Sequence, residues 1–269
     1  MKLIQISDLH FVPPGIRLLG LDPRAHLEAA IADINAHHGD AELCILTGDL
    51  VDTGTPEAYG ALRETLAGLS VPYRLMIGNH DDRAVFRLAF PEAPTDDNGF
   101  VQSVVSTPAG DLLLLDTHEP GTAGGVYCAR RRAWLRARLA EAAGRPVYLF
   151  MHHPPFDIGI PSMDRIGLDD QPAFAAALDG AAVAHIFFGH AHRPLAGGWR
   201  GIPFSGVRAT VHQVPLDMKT IEPTPYSFEP PGYAVALIAD GHAVVHHHDF
   251  LDQSAARPGI ARYTEVGGA

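Results

Sequence analysis

Cysteine is scarce in this chain: Cys44 and Cys128 are the only two among 269 residues. Two thiols cannot build the disulfide framework that holds small secreted domains together. Cys44 lies in an apolar run, where a buried, unreactive thiol is expected. Positive charge is also short, with 20 Lys and Arg against 31 Asp and Glu and a formal net charge of -11. That balance argues against a nucleic-acid surface, which needs clustered basic residues. It does not argue against a small phosphate ester, because bound metal ions supply positive charge locally. Long apolar runs are missing too. No segment has eighteen continuous apolar residues, so no membrane span is expected. The opening stretch Met1 to Ile6 is too short for a signal peptide and Asp8 interrupts it, which predicts a cytoplasmic protein.

What is present is a globular composition, with 46% hydrophobic and 19% charged residues. The length suits one domain with a large core, over residues 1–253, followed by a mobile tail over 254–269. The first half alternates strand-like and helix-like segments. Leu3 to Ile6, Leu43 to Thr47 and Tyr73 to Ile77 read as strands. Asp22-Pro23 and Thr55-Pro56 open the helices between them. This order favours a largely parallel sheet. Phe100 to Val105 and Leu112 to Asp116 look like strands, and Arg130 to Ala143 like an amphipathic helix with a solvated arginine face. Val147 to Met151 and His185 to Phe188 are short apolar strands. The chain then becomes β-rich, with strands expected at Ile202 to Val207, Thr210 to Val214 and Tyr233 to Ile238, and a hairpin turn at Asp240-Gly241 leading into Ala243 to Phe250.

Histidine is the compositional oddity, with 16 residues. Five apolar strands are each followed by the same kind of polar group: Asp8-Leu9-His10, Gly48-Asp49-Leu50-Val51-Asp52, Gly78-Asn79-His80-Asp81, His152-His153-Pro154 and Gly189-His190-Ala191-His192. Ligands bind beyond the carboxyl ends of strands in open parallel sheets, so these groups are expected around one crevice. Asp8 and His10, like His190 and His192, stand two apart, which on an extended backbone turns both side chains to one side. Glycines 48, 78 and 189 permit sharp turns and close backbone approach. Imidazole with carboxylate suits zinc, iron, manganese or similar ions.

This pattern, in order and spacing over residues 8–192, resembles the calcineurin-like metallophosphoesterase superfamily. The resemblance implies an α/β fold, a four-layer α-β-β-α sandwich. It implies two divalent metal ions, iron, manganese, zinc or cobalt. Asp8, His10 and His192 would hold one, Asn79, His152 and His190 the other, and Asp49 would bridge them. A hydroxide bridging the ions would attack phosphorus. His80 would donate a hydrogen bond or a proton on the leaving side, with Asp52 orienting it. His212 matches a substrate-facing histidine of glycerophosphodiesterase-like relatives. Beside a ligand, His153 is expected to support or pack, and His246, His247 and His248 to be structural or surface residues.

The stretch Met163-Asp164-Arg165-Ile166-Gly167-Leu168 is similar to bacterial class III cyclic-nucleotide phosphodiesterases and to glycerophosphodiesterases. Thr53 stands where protein Ser/Thr phosphatases carry Arg, which points away from that branch. The expected substrate is therefore a small phosphodiester, with a phosphomonoesterase or a nuclease as the competing enzyme readings and a non-catalytic metal-binding scaffold as the other class. Phe11, the segment after it to Leu21, and Phe156 are candidate pocket walls. The resemblance also implies a homodimer or a dimer-based larger oligomer, which the segment Tyr233 to Phe250 could form.

Overall fold

The computed structural model describes residues 1–251; the expected tail over 254–269 and its boundary at 253 lie outside the described residues. The three opening strands, β1 (Lys2–Ile6), β2 (Leu43–Thr47) and β3 (Tyr73–Met76), alternate with α1 (Pro23–His38) and α2 (Pro56–Leu66). Both helices start as their sequences dictate. The Asp22 carboxylate accepts the Ala25 N–H, and the Thr55 hydroxyl accepts that of Ala58, each with Pro at the start of the helix. A short helix, α3 (Arg83–Ala89), follows β3. Next come β4 (Ser103–Thr107), β5 (Gly110–Leu114), α4 (Ala129–Glu141), β6 (Val147–Met151), α5 (Pro161–Asp164), α6 (Gln171–Ala177) and β7 (Val183–Phe188). The chain closes with β8 (Leu195–Trp199), β9 (Ile202–Gly206), β10 (Gly232–Ala239) and β11 (His242–Asp249).

These strands form two sheets, ordered β11-β10-β1-β2-β3 and β4-β5-β6-β7-β9-β8. The central strands of each run parallel, and β10, β11, β4 and β8 add antiparallel edges. Strand residues alternate between two cores. Leu3, Ile45, Phe150 and Phe187 pack between the sheets. Ile4, Ile6 and Leu46 face outward onto Leu27 of α1 and Leu62 of α2. Leu149, Ile186 and Phe188 face the other way, onto Leu135 of α4 and Phe174 of α6. The result is the expected four-layer α-β-β-α sandwich. With helices covering both outer faces, the central strands are largely apolar, as buried parallel strands must be, with Gln5 of β1 and His185 of β7 as buried polar exceptions. Among the described residues no helix is long and apolar enough to cross a membrane.

Two local expectations change, and two elements, β8 and α3, were not anticipated. Thr210 to Val214 is not a strand, because its backbone is committed elsewhere. The Thr210 N–H bonds to the Ser7 carbonyl, the Gln213 side chain bonds both ends of the Ala209 peptide group, and the His212 carbonyl accepts from His192. Strand β8 was hidden by Gly197 and Gly198, which weaken a strand signal. Helix α3 has a legible start, since the Asp82 carboxylate caps the Ala84 and Val85 N–H groups. Arg131 of α4 is not on a solvated face. It is fully buried and donates to the carbonyls of Asp116 and His118 and to the Glu119 carboxylate.

His185 of β7 lies on the inter-sheet face with Phe187, its Nε2 2.9 Å from the Ser205 hydroxyl. Burial pushes its pKa down to about 4. The unfolded chain therefore takes up this proton first. The group leaves stability unaffected above pH 6.5, and the penalty grows as pH falls from there toward 4. In the presence of a chelator, His185→Gln should remove about 2 kcal/mol of the stability lost between pH 7.5 and 5. Urea unfolding at both pH values checks this, and parallel pH slopes for the variant and the wild type would contradict it.

Candidate metal centre

The carboxyl ends of β1, β2, β3, β6 and β7 converge at one edge of the sandwich. The polar residues there do not continue the strands. Asp8, His10, Asp49, His190 and His192 all have positive φ, between 43° and 63°. The expected extended backbone is thus replaced by left-handed turns, and side chains two apart converge through tight kinks rather than through strand alternation. Such conformations cost on the order of 1–3 kcal/mol each and persist only where surrounding contacts hold them. Here the Asp8 N–H bonds the Gly48 carbonyl and the His10 N–H that of Asp49, while the Asp8 carboxylate accepts the His190 N–H. Gly48 (φ +95°) and Gly78 make the packing possible. A Cβ on Gly48 would stand 2.6 Å from His152 Nδ1, and one on Gly78 would overlap the Asp49 carboxylate.

The seven residues expected as ligands meet at this edge, six of them buried. Donor atoms of Asp8, His10, Asp49 and His192 lie mutually within 4.8 Å. His10 Nε2 is 3.1 Å from His192 Nε2, which is 3.3 Å from Asp8. On the other side, His152 Nε2 lies 3.3 Å from Asp49 Oδ2 and 3.2 Å from Asn79 Oδ1. Donors of His190 and His152 lie within 4.8 Å of each other, and His190 Nε2 has no hydrogen-bond partner. The outer nitrogens fix the tautomers. His152 Nδ1 bonds the Thr47 carbonyl at 2.8 Å and His192 Nδ1 the His212 carbonyl at 2.9 Å, so each must donate there. Their inner Nε2 atoms then face other acceptors, and a proton or a metal ion must stand between. Burial would lower the His152 pKa, but the charge of Asp49 pushes it up to about 9, so without metal a proton fills that place. Acceptors crowded at hydrogen-bond distance need positive charge between them, which a metal ion supplies in place of that proton, so the residues present fit metal ions.

The electrostatics agree. Burial alone would raise the carboxyl pKa of Asp8 and Asp49, but His192 and His152 beside them hold both well below the usual range. Burial, then the charge of His152, pushes His190 down to about 3, which leaves its imidazole neutral and free to ligate. Asp81 ties the motif turns together. Its buried carboxylate accepts from the Gly78 and Leu50 N–H groups and from the Tyr59 hydroxyl. Burial, then the charge of Asp49, pushes it up to about 7.

His153 is buried beside His190, ring centres 4.5 Å apart. Both its nitrogens are engaged, with the Thr117 hydroxyl at 2.8 Å and the Ala123 carbonyl at 3.2 Å, as suits a supporting residue. Thr117, which the sequence did not single out, follows β5 and so marks a sixth strand end at this edge. His80 sits at the surface of the site, its N–H on Asp49 Oδ1 at 2.9 Å. Its Nδ1 bonds the main-chain carbonyl of Asp52 at 2.9 Å, not the carboxylate, which stands 3.9 Å away and lies closer to His10 Nδ1, at 3.5 Å. Burial would lower the His80 pKa, but the charge of Asp49 and the Asp52 carbonyl raise it. His246, His247 and His248 lie away from the site on edge strand β11, with His248 paired to Asp33 of α1.

A cleft of about 300 Å³ opens over these groups. His212 lines it, its ring centre 5.0 Å from that of His10 and 4.8 Å from that of His192. Burial, then the charges of His192 and His10, pushes His212 down to about 3. Of the candidate walls, Leu18 and Leu19 line the cleft. Phe11 and Phe156 are instead core residues, Phe156 against Phe188, Phe204 and Trp199. Met163 and Ile166 line the cleft too, from the stretch that carried the finer sequence resemblance. Tyr226 completes the rim, and nothing in its local sequence marked it.

Comparison with known proteins agrees with this centre. The profile of the calcineurin-like phosphoesterase family matches residues 1–194. A probable cyclic nucleotide phosphodiesterase of Rhodopseudomonas palustris is 43% identical over 255 residues, 93% of each chain. The glycerophosphodiester phosphodiesterase GpdQ of Enterobacter lignolyticus is 32% identical over 86% of this chain and 84% of that one. Among solved structures, a dimetal phosphatase from Danio rerio superposes with a TM-score of 0.67 at 14% identity, covering 93% of this chain and 96% of that one, which speaks for the fold. With its sandwich architecture, its buried Asp and His cluster and a family match over most of its length, the chain belongs to the calcineurin-like phosphoesterases.

Proposed function

We propose that this chain hydrolyses small phosphodiesters, cyclic nucleotides or glycerophosphodiesters, at two divalent metal ions. The observation that carries the reading is the crowding of imidazole nitrogens and carboxylates around Asp49, a buried donor set that metal ions would bind in place of protons. Asp8, His10 and His192 would hold one ion, Asn79, His152 and His190 the other, with Asp49 shared. Iron, manganese, zinc and cobalt all suit this set. Such ions polarise a phosphoryl oxygen and acidify water. The residues of the chain do the rest. The buried turns fix the donors, and His80, oriented by the Asp52 carbonyl, offers its free edge to the leaving oxygen. His212 faces the substrate across the cleft.

The named activities of the relatives support the diesterase choice. The free thiols of Cys44 and Cys128 support a cytoplasmic setting. Among the described residues β11 is an edge strand with no partner on its outer side, which supports an oligomer. The test is a substrate panel on protein reconstituted with each metal. Bis-p-nitrophenyl phosphate should be cleaved with kcat/KM at least about tenfold above the monoester, and chelation should abolish the reaction. A strong monoester preference, or activity that survives chelation, would refute the proposal.

A further inference from the structure

The cleft above the candidate centre is divided by charge. Every carboxylate and imidazole lining it (His10, Asp49, Asp52, His80, His190, His192 and His212) belongs to its floor. The rim is uncharged and mostly apolar, from Leu18, Leu19, Met163, Ile166, Pro225 and Tyr226. The acids nearest Tyr226 in sequence are occupied. Glu222 pairs with Arg165 at 2.8 Å and Glu229 with Arg193 at 3.0 Å. The same pairs occupy both arginines. Among the described residues that line the rim there is neither a carboxylate for an alkylammonium group nor a cation for a second phosphate. The rim offers a ring. Tyr226 lines the cleft yet is 53% exposed, braced edge-on by Phe228 at 5.7 Å and set 6.5 Å from His212, which touches the floor.

The geometry points to Tyr226 as a specificity-determining residue: its ring is a stacking face for a planar heterocycle, which favours an ester carrying a nucleobase over a glycerol ester of equal charge. This rests on the diesterase reading above. A base gains apolar contact from the leucine, methionine and proline side chains and stacks on an aromatic face whatever its hydrogen-bonding edge, whereas a polar glycerol arm gains neither. An ammonium could use the single ring, but without a carboxylate beside it.

The test compares the wild type with Tyr226→Ala and Tyr226→Phe, as metal-loaded full chains. Steady-state kinetics are measured on 3′,5′-cyclic AMP, glycerophosphoethanolamine and glycerophosphocholine, and calorimetry gives the Kd of AMP. Tyr226→Ala should raise KM for cyclic AMP and Kd for AMP about tenfold with kcat little changed, and Tyr226→Phe should restore both, because the ring and not the hydroxyl is used. Glycerophosphoethanolamine kinetics should stay as in the wild type. Equal losses on all three esters would mark Tyr226 as structural, a loss confined to glycerophosphocholine would mark a cation site, and unchanged AMP affinity would remove the stacking face; each overturns the inference. If the wild type cleaves none of the esters, the diesterase reading falls on its own, and the AMP titration still decides on Tyr226.

Discussion

Replacing Asp49 by Asn is expected to lower kcat on the order of 10³-fold and to reduce the metal retained after gel filtration. Three contacts of one carboxylate converge on this result. Its Oδ2 lies 3.3 Å from His152 Nε2 and 3.8 Å from His10 Nε2, so it reaches both halves of the donor set. Its Oδ1 accepts the His80 N–H and so also sets the turn that presents His80. The isosteric amide keeps the shape and one acceptor but removes the negative charge that the two dications of the proposed centre would need between them. Metal analysis by mass spectrometry, beside thermal unfolding to check the fold, reads the outcome. A folded variant retaining both ions at full stoichiometry would end the bridging assignment.

His80→Ala is expected to behave differently: kcat falls about 10²–10⁴-fold while metal content stays at the wild-type level. The ring is partly exposed at the cleft and stands edge-on to His10 at 4.6 Å, while the main-chain N–H that bonds Asp49 is kept by alanine. Asp52→Ala separates two accounts of how His80 is oriented. The carbonyl that accepts His80 Nδ1 survives that substitution, whereas the carboxylate beside His10 Nδ1 is lost. The cost should therefore fall on metal affinity, about 10–100-fold, with kcat at saturating metal close to the wild type. A kcat loss matching that of His80→Ala would return the orienting role to the carboxylate, and full activity in His80→Ala would remove that residue from the mechanism.

Much of the site was legible before any coordinates. Five apolar segments each ended in Asp, Asn or His, and strand order alone was enough to bring Asp8, Asp49, Asn79, His152 and His190 to one edge. The parallel core of the sheet was legible for the same reason, since largely apolar strands between amphipathic helices must be covered on both faces, whereas the four layers were implied by the resemblance of the motifs. The helix starts at Asp22 and Thr55 and the hairpin at Asp240-Gly241 were local chemistry, and local chemistry is what a sequence states directly.

The sequence by itself therefore determined a largely parallel sheet and which side chains meet at its edge, since hydrophobic periodicity and strand-end residues carry that information along the chain; the two-sheet sandwich came from the family resemblance of those motifs. Only the tertiary structure decided how they meet: left-handed turns at five donor positions, Arg131 buried under the Asp116 loop, the Asp52 carbonyl in place of its carboxylate, and Tyr226 over the cleft. Each depends on a partner tens to hundreds of residues away or on which atom of one residue faces another, and no local pattern encodes either. Thr210 to Val214 is the plainest case. Its strand-forming side chains were outweighed by backbone bonds to Ser7 and His192, which only folding brings within reach.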